Sequence, residues 1–245
     1  MNWDYTELAQ HYDKRPDYSK PALATLFDQT GLDADWSVID MGAGTGMLTK
    51  HLCTAGCRVT AIEPNQAMRN IGQNKIAAPH CRWLDASAEK TGLAEESFDM
   101  VIFGSSFNVV NQDKALKESA RLLKPGGWFA CLWNHRDLSD PLQDAVEQLI
   151  HSYLPGYAYG KRRQEQTPVI EASGLFHAPK KIEAGFSTQP STTAYLDAWR
   201  SHATLARQAG HLFPHIIQAI TNLLADQRFL EVPYHTRIWY AQKNH

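Results

Sequence analysis

The chain has 245 residues, 43% of them apolar, and a formal net charge of −2, which suits one domain with an embellishment. That charge, with a pI near 6.6, gives no electrostatic case for binding nucleic acid or an anionic membrane. No apolar run is long enough to span a bilayer, and the first residues do not resemble a signal peptide, so we expect a cytoplasmic protein. The four cysteines lack a second pair at zinc-site spacing, and no metal site is predicted.

Residues 1–34 are predicted to form an N-terminal helical cap that precedes the sheet. Helical spacing around Tyr12 predicts a first helix, which ends near Arg15 because Pro16 disfavours the helical conformation of the residue before it. A second helix is predicted over Pro21–Phe27, with the proline in its first turn.

The most informative stretch runs from Val38 to Gly46, where a buried-type strand leads through Asp40 into glycines at alternate positions. It predicts a strand, a tight turn and a helix starting near Thr45. Glycines let a ligand lie against bare backbone, and N–H groups at the helix start can face it. A dinucleotide fingerprint would place the third glycine one position later. A carboxylate beside a pyrophosphate is also unfavourable, so Asp40 favours a cationic ligand.

Two further acids follow strands in this part of the chain. Glu63 ends the predicted strand Arg58–Ile62, about 20 residues past the glycines, where an acid usually accepts from a ribose diol. Asp85 follows the short predicted strand Cys81–Leu84. It either contacts the ligand or caps a short helix that follows it.

The ends of two later strands supply polar candidates for substrate binding and catalysis. Asn108 follows the predicted strand Phe98–Phe103, and it either contacts substrate or caps the helix beyond it. Asn134 and His135 follow the next strand, which ends at Trp133. Asn134 is a candidate polar contact, and His135 is a candidate general base because its unperturbed pKa lies near neutrality. The alternative for His135 is a polar loop residue that orients the chain.

These motifs resemble the class I S-adenosylmethionine (SAM) methyltransferases, and in particular the methyltransferase-11-type group that acts on small molecules. The resemblance rests on the glycine turn, the Asp-x-x-Ala-Glu run from Asp85, the Phe-Asp-x-Val run from Phe98 and the Leu-Lys-Pro-Gly-Gly turn from Leu123. It implies an α/β, Rossmann-like, seven-stranded, mostly parallel sheet with an antiparallel strand 7 and a helical lid.

The resemblance also implies a SAM site. Asp85 would accept from the exocyclic amine of adenine, and the backbone N–H of Ala86 would reach a ring nitrogen. Tyr12 and Arg15 would face the carboxylate end of the cofactor, unless their helix merely packs on the sheet. The expected cofactor contacts are Tyr12, Arg15, Asp40, Gly42, Ala43, Gly44, Glu63, Pro64, Met68, Asp85, Ala86, Phe103 and Gly104.

The remaining chain completes the predicted architecture. The SAM-binding core spans residues 35–190, an insertion of helices over 191–230 forms a lid, and residues 231–245 supply the final strand of the core. The basic run Lys161–Arg163 is interpreted as a solvated helix start. Aromatic and imidazole groups in the lid suit a small apolar or zwitterionic substrate.

The predicted function is transfer of the SAM methyl group to an O or N nucleophile of a small molecule by in-line displacement. One alternative is a SAM enzyme that transfers or cyclises the aminobutyl group and releases methylthioadenosine. The others are an NAD(P)-binding oxidoreductase, which the glycine spacing disfavours, and a non-catalytic SAM-binding module. A small-molecule substrate is the expected partner.

Overall fold

A computed structural model describes residues 15–244 of the chain. Seven strands form one sheet in the order β3-β2-β1-β4-β5-β7-β6. Strand β7 runs antiparallel to both of its neighbours, and the other pairs are parallel. The strands are β1 (Ser37–Met41), β2 (Arg58–Ile62), β3 (Cys81–Leu84), β4 (Phe98–Gly104), β5 (Leu123–Arg136), β6 (Lys180–Thr188) and β7 (Val232–Gln242). The predicted fold class is confirmed, including the position and direction of β7.

Nine α-helices lie in the described part of the chain, with short 3₁₀ turns at Gly160–Arg163 and Gly210–Leu212. They are α1 (Lys20–Thr30), α2 (Thr49–Thr54), α3 (Gln66–Lys75), α4 (Gln112–Leu122), α5 (Pro141–Tyr153), α6 (Thr167–Ala172), α7 (Thr192–Arg200), α8 (Ala203–Ala209) and α9 (Phe213–Leu223). Side chains cap several helix starts, as where Asp140 accepts from the backbone N–H of Gln143 at 3.0 Å. Within this part of the chain, every helix falls short of the length and apolarity that a membrane crossing needs.

Two boundaries differ from the sequence prediction in ways that matter for the site. Helix α2 begins at Thr49 rather than Thr45, because the residues from the glycine turn to Leu48 form successive turns. Strand β5 continues past Trp133 to Arg136, since β7 pairs with it along that whole length, up to the Arg136–Tyr234 pair. Asn134 and His135 therefore belong to a strand and not to a loop.

Apolar side chains cover both faces of the sheet. One face packs β1, β4 and β5 against α4 and α6, with Phe103, Phe107 and Phe129 in contact at centroid distances of 5.1 to 5.7 Å. The other face packs against α1 and α2 through residues such as Leu26 and Leu52. Both faces of the sheet are buried. A ligand can therefore reach the polar groups of β1 and β5 only at the carboxyl ends of these strands.

A third apolar cluster holds the lid together. It joins α5, α7, α8 and α9 through buried residues that include Val146, Trp199 and Ile216, and it reaches β7 at Tyr234. The helices predicted over 191–230 are present, and α5 packs with them. The division of the chain into cap, core, lid and final strand stays a prediction.

Candidate active site

The glycine turn is held by its own backbone. The N–H groups of Gly42 and Ala43 both donate to the carbonyl of Ile62, at 2.8 and 2.9 Å, and that of Gly46 donates to Ala43 at 2.9 Å. Gly42 has a φ of 69°, and a Cβ built there would lie 2.6 Å from the Cβ of Ser106. These three N–H groups are occupied within the turn, whereas the expectation that N–H groups at the helix start face the ligand stays a prediction. The turn therefore offers bare backbone rather than a nest of donors for a pyrophosphate.

Asp40 is fully buried where β1 ends in this turn. One carboxylate oxygen, Oδ2, accepts from the Thr49 hydroxyl at 2.7 Å, whereas Oδ1 has no hydrogen-bond partner among the described residues. Burial, together with the nearby charge of Glu63, raises the pKa of Asp40 to about 7. A buried acceptor without a partner beside a cavity is what a cationic ligand requires.

Glu63 lies at the end of β2 and is nearly buried. Its carboxylate accepts from the backbone N–H groups of Gly44 and Asn65, both at 2.8 Å. Burial raises its pKa. Arg69 on α3 bridges the next strand, because it donates to the carbonyl of Glu63 at 2.6 Å and to Asp85 at 3.0 Å. The acids that end β2 and β3 are thus held beside the turn.

A cavity opens at the carboxyl ends of β1, β4 and β5, and it encloses about 830 Å³ including its open mouth. One end, called the glycine end here, is lined by Tyr18, Asp40, Gly42, Ala43, Gly44, Met47, Leu48, Gly104 and Ser105. The opposite part, called the arginine end, is lined by Arg15, Asn134, His135, Arg136, Tyr159, Arg162, Arg163, Ala198, His202 and Tyr234. Apart from Tyr18, the first set comes from the ends of β1 and β4 and from the turns beside them. In the second set, Asn134, His135, Arg136 and Tyr234 belong to β5 and β7, and Ala198 and His202 belong to the lid.

The segment before α1 crosses the cavity and is fastened at both ends. Arg15 donates to the Ser201 hydroxyl at 3.1 Å and to the Ser201 carbonyl at 2.5 Å, which ties it to the lid. Asn134 donates to the carbonyls of Pro16 and Asp17 at 3.1 and 3.0 Å. This segment therefore forms one wall of the cavity.

The structure brings part of the predicted site together. Residues from the cofactor prediction that line the cavity are Arg15, Asp40, Gly42, Ala43, Gly44 and Gly104. Those that lie outside its lining are Glu63, Pro64, Met68, Asp85, Ala86 and Phe103. Tyr12 falls outside the described residues. No helix follows Asp85, so the alternative role of that residue as a helix cap is wrong.

The catalytic candidates are more constrained than the sequence suggested. Asn108 lies outside the cavity lining and accepts from the indole N–H of Trp133 at 2.9 Å. Asn134 uses its amide to hold the wall segment and its oxygen to accept from Thr236 at 2.6 Å. His135 lines the cavity, but burial and the positive charges of Arg162 and Arg163 lower its pKa to about 2. The expectation that His135 titrates near neutrality is therefore wrong.

Sequence reasoning missed the arginine end. Lys161 is exposed, whereas Arg162 and Arg163 line the cavity, so the interpretation of Lys161–Arg163 as a solvated helix start is wrong. Arg136 went unnoticed because it seemed to lie in a loop. A basic residue at the carboxyl end of a core strand, at the edge where ligands bind, was the signal that could have revealed it.

The glycine end fits a SAM-like cation. Gly42, Ala43 and Gly44 line the cavity, and Asp40 offers a buried oxygen that has no hydrogen-bond partner among the described residues. The occupied N–H groups fit a phosphate poorly. These features favour a ligand that carries an ammonium and a sulfonium over a dinucleotide.

Known proteins agree with this geometry. The methyltransferase-domain family matches residues 39–131. An uncharacterised methyltransferase of Schizosaccharomyces pombe is 29% identical over 65% of this chain and 68% of its own length. A ubiquinone/menaquinone biosynthesis C-methyltransferase of Bartonella bacilliformis is 30% identical over 59% of this chain and 61% of its own. A protein of Anaeromyxobacter dehalogenans described as a type II methyltransferase shares the fold, with a TM-score of 0.62, 22% identity and coverage of 93% of this chain and 97% of that one.

The sheet order, the acid-led glycine turn and these matches define a SAM-dependent methyltransferase of class I. Residues 39–131 are similar to the methyltransferase-domain family, and the cofactor is S-adenosylmethionine.

Proposed function

We propose that the protein transfers the methyl group of SAM to an O or N nucleophile of a small molecule by in-line displacement. The observation that carries the proposal is the buried Oδ1 of Asp40 at the glycine end of the cavity, which has no hydrogen-bond partner within residues 15–244. When bound, SAM supplies a methyl group already activated by its sulfonium. The work left to the protein is to position the two reactants and exclude water.

Asp40 of the glycine end would share the binding of SAM with three residues outside that end, Glu63, Asp85 and Arg15. Asp40 would hold the positively charged amino acid portion, and Glu63, at the end of the neighbouring strand, would accept from the ribose. Asp85 pairs with Arg69 but is largely exposed, so its carboxylate retains acceptor positions for the adenine amine. Arg15 would face the carboxylate end of the cofactor.

The arginine end adjoins the glycine end and is where the acceptor would lie. No described residue that lines it is a carboxylate, and its two histidines are neutral, because burial lowers the pKa values of His135 and His202. A nucleophile that is already competent at neutral pH suits such an environment. His135 would then orient the acceptor by a hydrogen bond rather than remove a proton from it.

Calorimetric titration with SAM and with NAD tests the cofactor assignment. We expect SAM to bind and the Asp40→Asn variant to bind it at least tenfold more weakly, while the exposed Asp113→Asn variant behaves as the wild type. Binding of NAD without binding of SAM would contradict the assignment.

Incubation with SAM and a cell extract tests the reaction. S-adenosylhomocysteine as the sulfur product, with a new methylated metabolite, is the expected result. Methylthioadenosine would indicate aminobutyl chemistry instead. Binding of SAM with neither product would indicate a module that only binds it.

A further inference from the structure

The arginine end of the cavity brings together several positively charged side chains. Arg15, Arg136, Arg162 and Arg163 all line the cavity, and they come from three separate segments of the chain. Among the described lining residues the single carboxylate is Asp40, which belongs to the glycine end. A cavity wall of this composition favours a negatively charged ligand.

Arg136 and Arg163 are the arginines of this end that are best placed to bind an anion. Neither lies within ion-pair distance of a carboxylate among the described residues. The Nε atom of each is buried and has no hydrogen-bond partner there. Their only polar contact to each other is the 3.2 Å hydrogen bond from the Arg163 guanidinium to the Arg136 carbonyl. A partly buried charge without a nearby counter-charge is unfavourable, and an anion that accepts from both groups would offset that cost.

Aromatic rings hold the two guanidinium groups in place. The guanidinium carbon of Arg136 lies 4.0 Å from the Trp199 ring centroid and 5.4 Å from that of Tyr195. That of Arg163 lies 4.1 Å from the Tyr159 centroid. Stacking occupies the flat faces of a guanidinium and leaves its edge N–H groups able to bind, and those groups match a carboxylate or phosphate in pairs.

Burial and the positive charges of the arginine end lower the pKa of the neighbouring His135. The low pKa of His135 results from burial first and then from the positive charges of Arg162 and Arg163. The local potential is therefore positive where the acceptor would lie. A positive potential favours a substrate with an anionic group, which a zwitterion has and an apolar molecule lacks.

We propose that the methyl acceptor is an organic anion whose carboxylate or phosphate group is bound by Arg136 and Arg163. This rests on the proposed function, since the anion is the molecule that receives the methyl group. The anionic group anchors the acceptor at the arginine end, next to the glycine end where the cofactor would lie.

Calorimetry with defined probes tests the proposal. Citrate and inorganic phosphate are titrated separately into the protein, with and without saturating S-adenosylhomocysteine, and choline serves as the cationic control. We expect one of the two anions to bind in the presence of S-adenosylhomocysteine, and choline not to bind. Citrate alone would identify a carboxylate, and phosphate alone a phosphate. An anion that binds only without S-adenosylhomocysteine would show that the arginines hold the cofactor carboxylate, which overturns the proposal.

Variants assign the binding to the arginines. Arg163→Gln should weaken the anion at least tenfold, and Arg163→Lys should weaken it less, because it keeps the charge without the paired donors. Arg228→Gln, which changes an exposed lid arginine outside the cavity, should leave it unchanged. Titration of each variant with S-adenosylhomocysteine shows whether it remains folded and able to bind the cofactor. Normal cofactor binding with no anion binding by the wild type overturns the proposal alone, whereas absent cofactor binding overturns the proposed function.

Discussion

The guanidinium carbon of Arg136 lies 4.0 Å from the ring centroid of Trp199, and this contact joins the end of β5 to helix α7 of the lid. Trp199 is 1% exposed and packs in the apolar cluster of the lid. The charge at the arginine end is therefore positioned by a residue that belongs to the lid core. Packing of the lid and binding of the acceptor should be coupled through this pair.

Replacement of Trp199 tests how much the stack of Arg136 on this ring stabilises the protein. Trp199→Phe keeps an aromatic face and Trp199→Leu does not, so the Leu variant should be less stable than the Phe variant by about 1 kcal/mol, the typical value of such a stack. Denaturant unfolding measures the difference. The affinity for S-adenosylhomocysteine should stay unchanged in both. Equal stability of the two variants would show that the stack adds nothing.

Asp40 should destabilise the ligand-free protein at neutral and higher pH. Its folded pKa of about 7 lies above the ordinary aspartate value of 3.8, so the folded state binds the proton more tightly. The stabilising contribution is full below pH 3.8 and is lost as pH rises through about 7. Asp40→Asn should therefore be more stable than the wild type by about 2 to 4 kcal/mol at pH near 8, and by less near pH 5. Urea unfolding at several pH values measures this, and a stability gap that does not change with pH would contradict it.

The same carboxylate should make SAM binding depend on pH in the opposite sense. The ionised form of Asp40 attracts a cation, so affinity should rise as pH increases through about 7 and level off above it. The change approaches tenfold per pH unit on the acid side. The Asp40→Asn variant serves as the control and should show a much smaller slope, with only the contribution of Glu63 remaining. A steep slope in that variant would assign the dependence to another group.

A side chain at Gly42 should destabilise the protein by steric overlap as well as by backbone strain, and comparison with Gly31 separates the two effects. Gly42 and Gly31 share a φ of 69°, but a Cβ at Gly31 meets nothing within 4 Å, whereas one at Gly42 would lie 2.6 Å from Ser106. Gly31→Ala should cost about 1 kcal/mol, from backbone strain alone. Gly42→Ala should cost about 1 to 3 kcal/mol more from overpacking. Thermal unfolding compares them, and equal losses would show that the contact with Ser106 relaxes freely.

Local signals in the sequence were sufficient to predict the strands of the fold and the glycine turn. Apolar runs between turn residues marked the strands, and an acid followed by alternate glycines marked the edge of the sheet where a ligand lies. Asp40, Gly42 and Gly44 are neighbours in the chain, so one short stretch contains that part of the cavity. The order and direction of β7 followed from the family resemblance rather than from any property of the strand itself.

The arginine end was decided only by tertiary structure. Arg15, Arg136 and Arg163 are far apart in the chain, and each alone resembles an ordinary surface charge. Pairing of β5 with β7 extends the strand to Arg136, and packing of the lid brings Arg163 beside it. The pKa of His135 could not be predicted either, because burial and the charges of distant residues set it. The sequence by itself determined the acid-led glycine turn, since its residues are neighbours in the chain, whereas the charge of the arginine end comes from long-range packing.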